Sequence, residues 1–182
     1  MRKLVLAVFL VGCGPRYHME VQAAPNPFVR PGCRAVVEPV HSENLMVGSM
    51  PEAAYIAEKK AESGQSYLTD KAESDGEFHQ RFAESHPMLV TPGAPDNSFI
   101  IRTTWTHWEP GFVGFISKPA VADFLVDVLT MQGQLLDRFD FETRVDSSLY
   151  NPSSGGRMRS ALKKAGGIVA DYVGDNWLCA RP

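Results

Sequence analysis

The clearest hydrophobic pattern lies in the second half of the chain. Residues 98–108 are rich in aromatic and β-branched side chains and predict a strand, and residues 134–145 alternate between apolar and polar positions. Asp137 apart, one predicted face carries Leu135, Phe139, Phe141, Thr143 and Val145, and the other carries Leu136, Arg138, Asp140, Glu142 and Arg144. The second set is mostly charged, which predicts a sheet with one face in water.

Three further segments favour extended structure. Residues 122–131 are mostly apolar and predict a strand, although two aspartates four positions apart leave a helix possible. Gln132 and Gly133 predict the turn that follows. Residues 34–40 predict a short strand that Pro39 ends or places at a sheet edge, and residues 18–23 predict one extended stretch in the preceding segment.

Capping signals predict two helices in the first half. Ser49 with Glu52 forms a capping box, and that helix is expected to run to Glu62 and stop at Ser63-Gly64. Ser74 with Glu77 forms a second box, so a separate helix is expected to begin there. It presents Phe78 and Phe82 on one face and ends after His86, before Pro87.

A third helix follows the loop at residues 151–156. Its apolar stripe repeats at helical spacing through Met158, Leu162, Ala165, Val169 and Tyr172, and Gly174 is its expected end. Gly166-Gly167 within it predicts a close approach of the helix to the sheet. These elements predict one α+β domain over residues 31–182, a two-layer sandwich with a mostly antiparallel sheet and helices packed on one face.

The chain begins with the pattern of an export signal. Arg2 and Lys3 precede an eight-residue apolar run, Leu4 to Val11, and a small residue follows. Eight helical residues cover about 12 Å, whereas a hydrocarbon core is about 30 Å thick, so this run cannot span a membrane. Residues 1–12 are therefore predicted to be a signal peptide, and residues 13–30, with several prolines, a tether.

The sequence Leu10-Val11-Gly12-Cys13 resembles the lipobox of bacterial lipoproteins. The resemblance implies cleavage before Cys13, a diacylglycerol with fatty acyl chains such as palmitate joined to the Cys13 sulfur by a thioether, and membrane attachment through this lipid. Gly14 stands where an aspartate would resemble the inner-membrane retention signal, which favours an outer-membrane protein facing the periplasm. An uncleaved or non-lipidated signal is the alternative.

The composition of the chain limits the kinds of molecule that it is expected to bind. Removal of residues 1–12 takes Lys+Arg from 18 to 16 and leaves Asp+Glu at 21, so the mature net charge is −5. This acidic balance argues against a nucleic-acid surface. After lipidation two cysteines remain, Cys33 and Cys179, and an oxidising compartment favours a disulfide between them, with two unpaired thiols as the alternative.

Catalytic and metal-binding patterns are missing from the sequence. The five histidines do not have metal-ligand spacing, no Gly-x-Ser-x-Gly elbow occurs, and no cofactor motif is present. Asp137, Asp140 and Glu142 could serve an envelope hydrolase acting on glycan or peptide, but cross-strand pairing with Arg138 and Arg144 explains them more simply. A deep pocket between Asp140 and Glu142 would favour the hydrolase, and an open sheet face would disfavour it.

Aromatic residues are dense around the end of the strand at residues 98–108. Trp105, Trp108, Phe112 and Phe115 lie within eleven residues. We favour Trp105 and one other ring as core residues, and we expect Trp108 and Phe112 to be the contacts if this segment binds a partner.

The order of these elements also resembles a known group of domains. Residues 34–175 contain a long hairpin closed at Gly133, a Ser/Gly loop and a C-terminal amphipathic helix, and this order resembles small bacterial lipoproteins of unknown function. The domain of those lipoproteins is similar to the amino-terminal domain of TolB and to the curli-secretion lipoprotein. The resemblance implies a non-enzymatic role in partner binding, self-association or assembly at the cell envelope. It supplies no functional residue beyond the lipidated cysteine.

Overall fold

The computed structural model describes residues 16–22, 35–86, 98–112, 117–147 and 153–176. The elements in chain order are β1 His18–Val21, β2 Ala35–Val37, β3 Met46–Val47, β4 Met50–Pro51, α1 Glu52–Ala57, α2 Ala61–Ser85, β5 Phe99–Glu109, β6 Ala120–Thr130, β7 Leu135–Val145 and α3 Ser154–Asn176. The sheet order is β1-β7-β6-β5-β3-β4, and β2 also pairs with β5. The predicted α+β class, with a mostly antiparallel sheet and helices packed against it, is confirmed.

The three long strands form the centre of the sheet, as predicted. Strand β6 pairs antiparallel with both β5 and β7 over nearly its whole length, which excludes a helix at residues 122–131. Alternate residues of these strands are buried beneath α2 and α3. The core includes a row of stacked rings, in which Phe124 lies between Trp105 and Phe141.

The predicted faces of β7 are wrong at its first residues. The register shifts between Val128 and Leu129, so that Asp137 pairs with Val128 and Leu135 with Leu129. The bulge leaves Leu136 without a partner on β6 and reverses the direction of the side chains before it. Leu135 is therefore exposed, whereas Leu136 and Asp137 are buried. Beyond the bulge, the predicted alternation is confirmed.

The segment before α1 is more extended than predicted. Strand β2 lies within predicted residues 34–40, but it pairs parallel with β5. His41 forms an isolated parallel bridge with Thr104, and β3 pairs parallel with the end of β5. Residues 35–47 thus run along one edge of β5, while β1 pairs antiparallel with β7 at the other side of the sheet.

The predicted boundary between the first two helices is wrong. Helix α1 ends at Ala57, and α2 begins at Ala61, so that Ser63 and Gly64 lie in the first turn of α2 instead of stopping a helix. Ser74 does not begin a helix, because its buried hydroxyl donates to the Asp70 carbonyl one turn back within α2. Continuing the helix aligns Tyr67 with Phe78 and Phe82 on one buried face.

Helix α3 has the predicted apolar stripe, and the five residues that define the stripe are all buried. The close approach at Gly166 is to α2, not to the sheet as expected. A Cβ on Gly166 would lie 2.3 Å from the Phe78 carbonyl oxygen. The helix also continues past Gly174 to Asn176, whose side-chain amide donates to the hydroxyl of Tyr17. Among the described residues, no helix is long and apolar enough to cross a membrane.

Candidate functional site

The sheet has one face on which α2 and α3 do not pack, and we call it the outer face. Its central side chains are half-buried, in contrast to the buried side chains that point toward the helices. On the long strands the half-buried residues of this face are Ile100, Arg102, Thr104, Val121, Asp123, Leu125, Asp127, Arg138 and Asp140, and the face continues to the exposed Glu142 and Arg144 near the end of β7. The outer face is therefore a mixed apolar and charged surface supported by a rigid sheet.

A row of alternating charges crosses the outer face. Arg102 donates two hydrogen bonds to Glu38, at 2.6 and 3.1 Å, and Arg138 donates two to Asp127, at 2.6 and 2.9 Å. Asp127 is the register partner of both arginines, and the field of Glu20 on β1 also acts on Arg138. Bidentate arginine–carboxylate pairs of this kind hold the long arginine side chains in fixed positions.

The pKa of Glu38 is lowered by this arrangement. The hydrogen bond from Arg102 is the main cause, and the His41 ring contributes in the same direction against the opposing effect of burial. The Glu38 side chain is only 24% exposed, so its charge is screened less than that of a fully solvated carboxylate. The same hydrogen bond raises the pKa of Arg102.

Three histidines on or beside the outer face each lie against a carboxylate. His18 contacts Asp140 at 3.0 Å, and His41 contacts Glu38 at 3.1 Å. His107 contacts Asp123 at 3.1 Å, and burial raises the pKa of that aspartate. The carboxylates of the outer face are thus held by arginines and histidines.

This arrangement is suited to electrostatic recognition. Five carboxylates of the face (Glu38, Asp123, Asp127, Asp140 and Glu142) outnumber its three arginines (Arg102, Arg138 and Arg144).

The described part of the chain contains no group of three or more His, Cys, Asp or Glu residues that could hold a metal ion. Asp140 lies on the open face beside His18. Glu142 is 42% exposed and bonded to Arg144 at the rim of a shallow cleft.

The structure contains clefts of about 360–380 Å³ away from the centre of the outer face. One lies between α2 and residues 39–42, with Trp105 and Leu162 among its lining residues. A second lies where α1, α2 and the start of α3 meet, and it includes Tyr55 and Tyr67. Tyr67 donates a hydrogen bond to Glu52, and burial raises the pKa of its hydroxyl.

The aromatic candidates separate into core and surface. Trp105 and Trp108 are 2% and 0% exposed and contact each other edge to face, so the preferred core interpretation of Trp105 and one other ring is confirmed. Trp108 is therefore corrected from a partner contact to a core residue, since its ring has no surface to offer. Phe112 is 58% exposed and remains a candidate contact, and its backbone forms a bridge with Lys118. Phe115 lies outside the described residues.

The three cysteines, Cys13, Cys33 and Cys179, also lie outside the described residues. Lipidation and the disulfide therefore stay predictions.

Some charged residues of the strands pair with residues that are distant in the sequence, and the sequence pattern did not predict these partners. Glu38 is 64 residues from Arg102, and His18 is 122 residues from Asp140. The available signal was the alternation of arginines and acidic residues within residues 134–145, which predicts pairing with charged residues on a neighbouring strand.

Comparison with known proteins gives only distant structural similarity. No family model matches the chain, and no curated protein matches it. A PelC dodecamer from Paraburkholderia phytofirmans is similar at 9% identity, with a TM-score of 0.42 and coverage of 84% of this chain and 96% of that chain. XCC0632 from Xanthomonas campestris, described as a DUF330 protein, is similar at 12% identity, with a TM-score of 0.46 and coverage of 86% and 93%.

Proposed function

We propose that this chain is a lipid-anchored protein of the bacterial cell envelope that binds a protein partner through its outer face, without catalysis. The observation that carries the proposal is the row of alternating charges on a sheet face that the described helices leave uncovered. A soluble domain normally covers both faces of a sheet or makes one face polar, and this face is charged yet also contains half-buried apolar side chains.

The charge of the outer face indicates the chemistry of the partner. Because carboxylates outnumber arginines there, a contact surface rich in Lys and Arg is complementary to it. The arginines already hold fixed positions, so a partner does not need to order them on binding. Ile100, Val121 and Leu125 add apolar surface between the charges.

The anchor part of the proposal is supported by the lipobox-like residues before Cys13. The hydrolase alternative is less well supported, because it needs Asp140 and Glu142 to face one deep cleft. Asp140 instead lies on the open face, and neighbouring His18 and Arg144 hold these two carboxylates.

Site-specific photocrosslinking in cells tests the partner surface. A photoreactive amino acid placed at Thr104 or at Leu125, both half-buried at the centre of the outer face, is expected to give one discrete protein adduct. The matched control position is Gln65, which is exposed on α2. Adducts from Gln65 alone, or the same adducts from all three positions, would contradict binding through the outer face.

A charge change provides the second arm of this experiment. Asp140→Lys removes one carboxylate from the half-exposed part of the face, and it is expected to reduce the adduct from Thr104 by about fivefold, as the loss of about 1 kcal/mol of complementarity predicts. An undiminished adduct would argue against a basic partner.

A further inference from the structure

A cleft of about 360 Å³ lies beside the free edge of β7, and we call it the edge cleft. Its charged lining residues are Arg16, Arg81, Glu142, Arg144, Lys164 and Asp171. They come from the segment before β1, from α2, from β7 and from α3. The fold therefore brings four cations and two carboxylates together in a chain whose net charge is −3.

The edge cleft is open because β1 covers only part of β7. The pairing of β1 with β7 involves Arg138, Phe139 and Asp140, whereas β7 continues to Val145. Beyond the paired residues, the Arg144 carbonyl accepts a hydrogen bond from the Lys164 ammonium at 2.5 Å. That contact joins the uncovered part of β7 to α3 at the cleft.

The cations of the edge cleft are exposed and incompletely neutralised. Arg144 bonds to Glu142, and Arg81 bonds to Glu84 at 2.8 Å. Arg16 and Lys164 have no carboxylate partner among the described residues. Exposed pairs contribute little to stability and can exchange partners, so this surface is available to an external anion.

The position of the cleft relative to the predicted anchor identifies the anion. Arg16 lies three residues after Cys13, and three residues can span at most about 11 Å. A lipid on Cys13 would thus hold Arg16 within about one Debye length of the membrane headgroups. With that anchor, the basic cleft would lie at the membrane-facing end of the domain.

We propose that the edge cleft binds the phosphate of anionic phospholipids in the membrane that holds the anchor. This inference rests on the proposed lipid anchor. Each Lys or Arg held near an anionic membrane surface strengthens attachment by about fivefold. The domain would stand with the free edge of β7 toward the lipid, so that the outer face is directed sideways and stays accessible to a partner.

Hydrogen exchange of the full mature lipoprotein tests this proposal. The protein is reconstituted into vesicles of phosphatidylcholine alone or of phosphatidylcholine mixed with phosphatidylglycerol. Exchange of the backbone amides at residues 142–145 is expected to slow by about fivefold or more when phosphatidylglycerol is present. Equal exchange in the two kinds of vesicle would overturn the proposal.

Matched variants separate the cleft from general charge effects. Arg81→Gln combined with Lys164→Gln removes two cations of the cleft and is expected to abolish the slowing. Lys59→Gln combined with Lys60→Gln makes the same change in charge at the junction of α1 and α2 and is expected to keep it. Circular dichroism and melting temperature establish that both variants are folded. A slowing that survives the first variant would overturn the role of the cleft.

Two measurements distinguish failure of the lipid anchor from failure of phospholipid binding at the edge cleft. Flotation with vesicles and the mass of the N-terminal peptide report the lipid on Cys13. Protein without lipid that fails to float would overturn the anchor and this inference together, whereas protein that floats with equal exchange in both vesicles would overturn this inference alone. Inorganic phosphate that slows exchange equally without vesicles would assign the cleft to a soluble anion.

Discussion

At the scale of single residues, charge pairing on the outer face was predictable in kind but not in detail. The alternation in residues 134–145 predicted cross-strand ion pairs, and Arg138 with Asp127 forms one. The partner of Arg102 could not be predicted, because Glu38 reaches it from a parallel edge segment that has little sequence signal. The faces of Leu135 and Leu136 were wrong because one bulged residue reverses all side chains before it.

The lowered pKa of Glu38 predicts a pH dependence of stability. A carboxylate whose pKa falls on folding adds stability above its ordinary pKa of 4.5, and this stability is lost as the pH drops through the lowered folded value. Glu38→Gln is expected to cost about 1 kcal/mol of unfolding free energy at pH 7, because a charged hydrogen bond to Arg102 is removed. Urea unfolding of wild type and Glu38→Gln measures the difference in their unfolding free energies at pH 7 and at pH 3.

The difference between wild type and Glu38→Gln should shrink toward pH 3, because the unfolded wild-type chain then binds a proton that the folded Glu38 carboxylate resists. Glu43→Gln is the control, since the Glu43 side chain is 80% exposed and lies 3.5 Å from His41, with no hydrogen bond to Arg102 among the described residues. A Glu38→Gln effect that is constant with pH would contradict the assigned role of its charge.

The buried Trp108 ring and the exposed Phe112 ring predict different effects of truncation on stability. Trp108→Ala is expected to cost about 3–5 kcal/mol, because a fully buried ring is lost from the core. Phe112→Ala is expected to change the unfolding free energy by less than about 0.5 kcal/mol, because its ring is mostly exposed. Thermal and urea unfolding of the two variants check this, and similar losses for both would show that Phe112 also packs in the core.

At the scale of elements, strong periodicity predicted well and local capping signals predicted poorly. The long strands and α3 have eleven or more residues each, and each was assigned to the correct type of element, although the bounds of the elements differ. The capping box at Ser74 is a local signal, and it was overridden because an uninterrupted α2 buries Tyr67, Phe78 and Phe82 along one face. Tertiary packing decides between two such possibilities, and a capping pattern does not contain that information.

The contact between α2 and α3 predicts a sharp difference among glycines. Gly166→Ala is expected to destabilise the domain by about 2 kcal/mol or more, because its Cβ would lie 2.3 Å from the backbone oxygen of Phe78. Gly76→Ala, in the interior of α2 with nothing within 4 Å of the added Cβ, is expected to stabilise by about 0.5–1 kcal/mol. Chemical unfolding measures both, and equal effects would contradict the close helix contact.

At the scale of the whole molecule, the layer arrangement was predictable and the sheet edges were not. A hairpin with one polar face followed by an amphipathic helix permits few arrangements, and the two-layer α+β sandwich is one of them. The edge elements β1, β2, β3 and β4 have two to four residues each, too few for a period to appear. The edge cleft depends on where β1 stops along β7, so the sequence pattern could not locate it.

The proposed orientation of the whole domain depends on one residue, Cys13. Cys13→Ala is expected to release the protein from the membrane, because acyl chains on this cysteine supply the anchor and one or more cations alone give only weak, reversible attachment. Cell fractionation followed by a high-salt wash measures the bound fraction, which we expect to fall at least tenfold. Cys33→Ala is the matched control and is expected to leave the bound fraction unchanged. Cys13→Ala protein that remains in the washed membrane pellet would contradict the lipid anchor and leave attachment to another part of the chain.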